Sequence, residues 1–250
     1  MKAMVFAAGY GTRLKPLTDK LPKALVPLLG KPMIGWVIDR LKLAGVDEII
    51  INVHYLADQL EAYCREMNNF GIRICFSDER ERILDTGGGL CQASWFFDDG
   101  QPFFVYNTDV ISSVDLNELL ETHRRSGNLA TLAVKHRPAS RNLIVDKQDH
   151  LAGWRDNRTG EEIWVNKPVP QGDMVAFSGI QVINPEIFGF IVEKGVFPLI
   201  PLYLRLAKDH AVGVVRHDQD LWFDLGNSKS LREAEESIGQ DPARFSGSME

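Results

Sequence analysis

Cysteine is scarce and unpatterned: three residues in 250, at positions 64, 75 and 91, with no C-x-x-C pair. So odd and scattered a set excludes a disulfide framework and a zinc knuckle, and it fits a reducing compartment. Positive charge is also short, with 28 Lys and Arg against 34 Asp and Glu and a formal net charge of −6. Surfaces that coat nucleic acid or an anionic membrane need surplus cations, so neither partner is expected, whereas a small anionic ligand needs only a few local ones. No segment reaches the roughly 18 uncharged apolar residues of a membrane span, and the opening "MKAMVFAAGYGTR" carries only a short apolar run. Repeats and low-complexity tracts are missing too. The expectation is a soluble, cytoplasmic protein. Its 44% hydrophobic and 25% charged residues suit a globular chain with a sizeable core.

What is present is alternation. "AMVFAA" (3 to 8), "EIIINV" (48 to 53), "IRICF" (72 to 76), "PFFVYNTD" (102 to 109) and "LATLAVK" (129 to 135) read as strands. Between them Ile34, Val37, Ile38 and Leu41, then Leu56, Leu60 and Cys64, then "LCQASWFF", then Leu116, Leu119 and Leu120 recur at helical spacing. Asp115 with Glu118 supplies an N-terminal cap for the last of these, and Gly127 a stop. A β-α repeat of this kind predicts a doubly wound, mainly parallel α/β sheet whose ligands lie beyond the carboxyl ends of the strands. From about 136 to 183 short strands separated by turns predict a small antiparallel extension. "PEIFGFIVE" and "FPLIPLYLRLAKDH" read as helices, "AVGVVRH" and "LWFDLG" as strands, and "SKSLREAEESI" as a helix opened by a Ser cap. The expected organisation is one domain over 1–238, with a frayed tail over 239–250.

The loop after the first strand, "FAAGYGTRLKP", sits at such a strand end. A dinucleotide fingerprint needs a third glycine where Leu14 stands, an immediate helix, and an acid after the second strand, which ends in Val53-His54. Pro16, Pro22, Pro27 and Pro32 forbid the helix, and no Gly-Lys-Ser/Thr marks a P-loop. Two readings stay open: a polyphosphate cradle of glycine-freed amides backed by Arg13 and Lys23, or a turn with solvated cations. Asp109 and Asp224, each closing an apolar strand, are likewise either magnesium ligands or turn caps. "DTGGGLCQA" (85 to 93) allows close backbone approach to a planar base, or is a loose helix start. In the acidic run "DERERILD" a solvated loop accounts for most of Asp78, Glu79, Glu81 and Asp85.

"FAAGYGTRLKPLTDKLPKALVPLLGKPMI" resembles the opening of the sugar-1-phosphate nucleotidyltransferases, (L/F)-A-(A/G)-G-x-G-T-R-L-x-P-L-T, then P-K-x-(L/M)-x-P-(L/V), then G-K-P-(M/L)-(I/L). About thirty residues match almost without gaps, and the resemblance extends to near residue 238. It implies a Rossmann-like fold with a sugar-binding extension. It also implies transfer from a nucleoside triphosphate to a sugar 1-phosphate, with Mg2+ as cofactor and pyrophosphate as the second product. On this pattern Ala8, Gly9, Gly11 and Thr12 hold the triphosphate, Arg13 the leaving pyrophosphate and Lys23 the attacking phosphate. Asp109 and Asp224 hold the metal, while Thr86, Gly88 and Gly89 read the base.

"VNKPVPQGDMVAFSGIQVI" aligns Lys167 and Gly179 with the family's sugar-binding E-K-P and (T/S)-G-(L/I) motifs, with Asn166 in place of the glutamate. Trp154 and Trp164 are either sugar platforms or core. Thr108 replaces the glycine of short relatives and is expected to narrow the approach to the nucleotide. The short length, "NVHYLADQL" and "TGGG" look most like N-acetylmuramate-1-phosphate uridylyltransferases, with mannose-1-phosphate guanylyltransferases as the alternative, so the nucleotide is UTP or GTP. A non-catalytic sensor of nucleotide sugars is the reading from another class. Joint retention of Arg13, Lys23, Asp109 and Asp224 speaks against it. Tyr10 has no assigned role.

Overall fold

The structure, a computed structural model, describes residues 1–169, 171–241 and 245. In chain order the first elements are β1 (Lys2–Phe6), β2 (Pro27–Leu28), β3 (Lys31–Pro32), α1 (Met33–Leu43), β4 (Glu48–Val53), α2 (Ala57–Glu66) and β5 (Arg73–Asp78). There follow α3 (Asp85–Gln92), β6 (Phe103–Asn107), β7 (Val110–Ser112), α4 (Leu116–Ser126), β8 (Ala130–Lys135), β9 (Arg141–Val145) and β10 (Leu151–Asp156). The last are β11 (Glu162–Trp164), β12 (Asp173–Ile183), α5 (Leu199–Leu206), β13 (Val212–Arg216), β14 (Trp222–Asp224) and α6 (Ser228–Gln240). They make a mixed α/β fold with a mainly parallel sheet and additional antiparallel strands, as the alternation predicts. No helix among the described residues is long and apolar enough to cross a membrane.

Two compact units divide the chain: Met1–Leu84 with Val105–Val114 and Asp220 onward, and Asp85–Phe104 with Asp115–Gln219. In the first, β6, β1, β4 and β5 are neighbours in that order, and β4 pairs in parallel on both sides, with Val5 opposite Ile51 and Ile50 opposite Cys75. Ile49, Ile50 and Ile51 are fully buried, the signature of a strand covered on both faces. Between β1 and β2 the prolines have their predicted effect. The chain makes three short 3-10 turns (Thr12–Leu14, Leu17–Asp19, Lys23–Leu25) and no α-helix. Leu14, Val26, Leu28, Met33, Ile111, Leu225, Ala234 and Ile238 pack into one buried cluster, which anchors this loop to β7, β14 and α6. The α6 cap is Asn227 and not a serine, its Oδ1 accepting from the amides of Lys229 and Ser230, both at 3.0 Å. Of the tail expected from 239, residues 239 and 240 close α6, while 242–244 and 246–250 lie outside the described residues, as does Pro170 of an expected turn.

In the second unit β12 pairs antiparallel with β8 and β9, β13 runs parallel to β8, and β9, β10 and β11 form an antiparallel meander. Asp115 caps α4 as expected, accepting from Asn117 N at 2.9 Å and Glu118 N at 3.1 Å, and Gly127 ends the helix at φ 65. The stretch expected as a first helix after β12 forms only a 3-10 turn, Pro185–Phe190.

The start of α3 is held by the chain before α5: Gly87 N and Gly88 N both donate to Phe197 O, at 2.8 and 3.1 Å. A Cβ on Gly87 would enter the Phe197 ring and lie 2.8 Å from that same carbonyl, so only glycine fits. Across the unit, the His136 ring lies between Asp218 (Nδ1–Oδ2 2.8 Å) and Asp173 (Nε2–Oδ2 2.9 Å), with Arg216 bound to Asp149 and Asp173. Hydrogen bonds to Asp218 and then Asp173 favour imidazolium and raise the His136 pKa above its ordinary value.

Gly87→Ala is expected to cost about 2 kcal/mol from overpacking and to lower the thermal midpoint by about 5 °C, measured by calorimetry. For His136 the raised pKa means stabilisation that is full below the unfolded value near 6.5 and lost as pH rises through the folded one. The midpoint gap between wild type and His136→Gln should therefore be widest near pH ~5.5 and shrink toward pH ~8.

Candidate active site

Gly11 has φ 65 and ψ 29, a left-handed conformation that a side chain disfavours. A Cβ there would also stand 2.9 Å from Thr18 Cγ2 and 3.0 Å from Lys23 Cβ, so the missing side chain makes room for the Lys23 stem. Thr18 Oγ1 donates to Gly11 O at 2.8 Å and fixes the fold-back. Lys23 is left only 9% exposed, and an ammonium so buried requires a counter-charge. It donates to Asp109 Oδ2, from 86 residues further along the chain.

Asp109 is held on its backbone side by Leu225 N, which donates to its carbonyl at 2.8 Å, while the β7–β14 pairing puts Asp224 opposite Val110. The two aspartates thus arrive at adjoining backbone positions on two antiparallel strands. Asp224 Oδ1 accepts from Gly226 N at 2.8 Å. A Cβ on Gly226 would be 2.5 Å from Arg13 Nη2 and 2.7 Å from Asp224 Oδ1, so guanidinium and carboxylate converge over that bare Cα. Gly11, Lys23, Asp109, Asp224, Gly226 and Arg13 form one ring of neighbours, resting on Leu14, Ile111 and Leu225 of the buried cluster.

The ring suits a hard cation. Asp109 Oδ1 and Asp224 Oδ2 accept no protein hydrogen bond among the described residues, so each carboxylate keeps an oxygen to give. No cluster of three or more His, Cys, Asp or Glu able to hold a metal occurs among those residues. Magnesium is commonly held by one or two carboxylates with water and substrate phosphate, which this pair matches.

Around the ring, Ala8 is buried and Gly9 opens onto free space. Thr108 does not protrude: it is 3% exposed, with Oγ1 unpartnered among the described residues. Asn52, a polar residue inside an otherwise apolar strand, was the available but unread signal. Its Oδ1 accepts from Ala7 N at 2.7 Å and its Nδ2 donates to Glu79 Oε1 at 2.8 Å, while Glu79 Oε2 accepts from Leu84 N at 2.9 Å. Glu79 is only 2% exposed, the buried exception in an acidic run whose Asp78, Glu81 and Asp85 are exposed. Tyr10 bonds His54 Nε2 at 2.8 Å, and His54 Nδ1 lies 2.6 Å from Glu79 O. A carbonyl only accepts, so the proton belongs on Nδ1 and Tyr10 is the donor. Asn52 and Tyr10 thereby tie the glycine loop at two points to the chain following β5.

The remaining candidates lie in the second unit. The Thr86 hydroxyl accepts from Leu199 N at 2.9 Å, the Gly88 amide is bound to Phe197 O, and Gly88 and Gly89 are buried. Gly179 sits in β12 at φ 75, inside a register shift between Phe177 and Gln181. Asn166 and Lys167 line a cavity of about 310 Å³ with Asp146, His150, Asp209 and His210. That cavity adjoins the C-terminal end of α5, whereas Thr86 and Gly88 grip the chain just before its N-terminal end. Trp154 lines a different cavity, and Trp164 Nε1 donates to Glu162 Oε2 at 3.1 Å.

Known proteins match this chain over most of its length. An N-acetylmuramate alpha-1-phosphate uridylyltransferase of Neisseria meningitidis is 35% identical over 239 residues, covering 96% of this chain and 99% of its own. A mannose-1-phosphate guanyltransferase of Gibberella zeae is also 35% identical, over 92% of this chain, but the match spans only 62% of that longer protein. In three dimensions a UDP-glucose pyrophosphorylase from Acinetobacter baumanii superposes with a TM-score of 0.78 over 98% of this chain and 95% of its own, at 18% identity, a likeness of fold. The sequence profile of the nucleotidyl transferases matches residues 2–241, and the chain belongs to that family.

Proposed function

We propose that the protein is a magnesium-dependent sugar-1-phosphate nucleotidyltransferase, with 1–238 as its catalytic domain. A phosphate oxygen of the sugar 1-phosphate attacks the α-phosphorus of a nucleoside triphosphate in line. The new P–O bond forms as the bond to pyrophosphate breaks, and no protein nucleophile takes part. The observation that carries the reading is the ring in which Arg13 and Lys23 meet Asp109 and Asp224. Transfer between two anions is limited by charge and alignment, and this ring supplies fixed cations beside a pair of metal-binding carboxylates.

Within it Arg13 offers a planar fork to the leaving pyrophosphate, and the Lys23 ammonium a point charge to the attacking phosphate. Asp109 and Asp224 would hold Mg2+, which when bound polarises phosphate oxygens and neutralises developing charge. Gly9, open on its outer side, with Ala8, Gly11 and Thr12 forms the triphosphate cradle. Thr86, Gly88 and Gly89 are assigned to the base, Lys167, Asn166 and Gly179 to the sugar phosphate. The leading substrates are UTP and N-acetylmuramate 1-phosphate, because the uridylyltransferase match extends over almost the full length of both chains. GTP with mannose 1-phosphate is the second reading, favoured by the equal identity of the guanyltransferase.

Purified protein incubated with Mg2+, each nucleoside triphosphate and a panel of sugar 1-phosphates is expected to release pyrophosphate fastest with UTP and N-acetylmuramate 1-phosphate. Silence from every pair would overturn the reading. Asp224→Asn should lower kcat at least ~100-fold yet shift the thermal midpoint by no more than about 2 °C, because an amide oxygen still accepts from Gly226 N. Asp109→Asn should lose activity and stability together, since it strands the buried Lys23 charge.

A further inference from the structure

The second unit contains a cavity of about 460 Å³ between β9–β11 and α5, whose lining includes Arg141, Asn142, Trp154, Phe177, Pro198 and Leu204. Among the described residues that line it, Arg141 and Asn142 are the polar ones besides the Trp154 indole, and both present donors. The Arg141 guanidinium lies 6.0 Å from the Trp154 ring centroid, and its one acidic neighbour is Asp156, 3.6 Å from Nε. Asp156 is already satisfied by Arg158, with Nη2 to Oδ2 at 2.7 Å and the backbone amide to Oδ1 at 2.8 Å, and its carboxyl is held well below the usual carboxylate range. Arg141 Nη1 and Nη2 have no protein partner among the described residues. Asn142 is 7% exposed and its Oδ1 accepts from Asn157, so what it has left to offer is its NH2.

An apolar hollow whose polar contribution is an unspent guanidinium fork fits a short alkyl group that ends in a carboxylate. Within the second unit it adjoins segments assigned above to the base and the sugar. Pro198 belongs to the segment that grips Thr86 and Gly88, and Phe177 precedes Gly179 by two residues. We infer that this cavity is the specificity pocket for a carboxylate-bearing ether on the sugar. The alkyl part lies against Trp154, Phe177 and Pro198, and the carboxylate on Arg141. The inference rests on the nucleotidyltransferase reading and adds to it the group by which the enzyme separates N-acetylmuramate 1-phosphate, a lactyl ether, from N-acetylglucosamine 1-phosphate, which lacks the acid.

The test compares these two sugars with UTP and Mg2+, reading pyrophosphate release. Wild type should prefer the lactyl sugar. Arg141→Leu should lower kcat/KM for it about 30-fold, through KM, while changing N-acetylglucosamine 1-phosphate less than about 3-fold, and Arg141→Lys should recover part of the loss. Equal loss with both sugars, or a wild type indifferent to the acid, overturns the inference while leaving the transferase reading intact. If wild type uses no sugar with any nucleotide, that reading fails and the inference with it. Thermal midpoints confirm that each variant is folded. As an independent readout, titration of wild type with the lactyl sugar should quench tryptophan fluorescence more than titration of Trp154→Phe; equal quenching also counts against the pocket.

Discussion

A buried ammonium with one carboxylate partner is the constraint on which the first unit depends. Lys23 cannot sit at 9% exposure without Asp109, and Asp109 keeps its place because β7 and β14 hold its backbone. Removing one member of such a pair leaves an uncompensated charge at a cost of several kcal/mol, so the local fold hangs on a single interaction, the one to which the proposed chemistry is also assigned. Gly11 is part of the same bargain, as its left-handed turn and missing side chain let the lysine stem lie flat. The loop reaches a defined shape without a helix because Leu14 packs into the cluster below and Asn52 binds Ala7 at its root.

The second unit rests on a different device. There Gly87 and Gly88 of α3 bind the chain before α5, since the Phe197 carbonyl occupies two of the amides that a helix start leaves open. The chain before α5 is thereby pinned, and α5 in turn forms one wall of the cavity that holds Arg141 and Trp154. Selectivity for a sugar substituent would then reside in elements that contribute nothing to the ring of Arg13, Lys23, Asp109 and Asp224.

Strand and helix order was legible because apolar period and cap residues are local signals: β4, α4 and β10 lie where the pattern puts them. The non-helical course of the glycine loop was legible because its prolines eliminate the helix that competing motifs require. Pairings between distant positions were not. Nothing near Lys23 announces Asp109, and nothing in the triple glycine announces Phe197. In the N-K-P stretch the motif groups Lys167 with Gly179, and the cavity that Lys167 lines with His150 and His210 has no counterpart in that pattern. Arg141 was overlooked because a lone arginine in a strand-rich stretch carries no spacing signal.

The β7–β14 pairing has a consequence in time. Asp109 is made before Asp115–Gln219 of the second unit, and the strand that brings Asp224 opposite Val110 only after it. Until then Asp109 has no second carboxylate beside it, and Arg13 lacks the Gly226 surface on which it lies. The proposed metal pair is thus assembled from two segments of the first unit that the whole of Asp115–Gln219 separates in the chain.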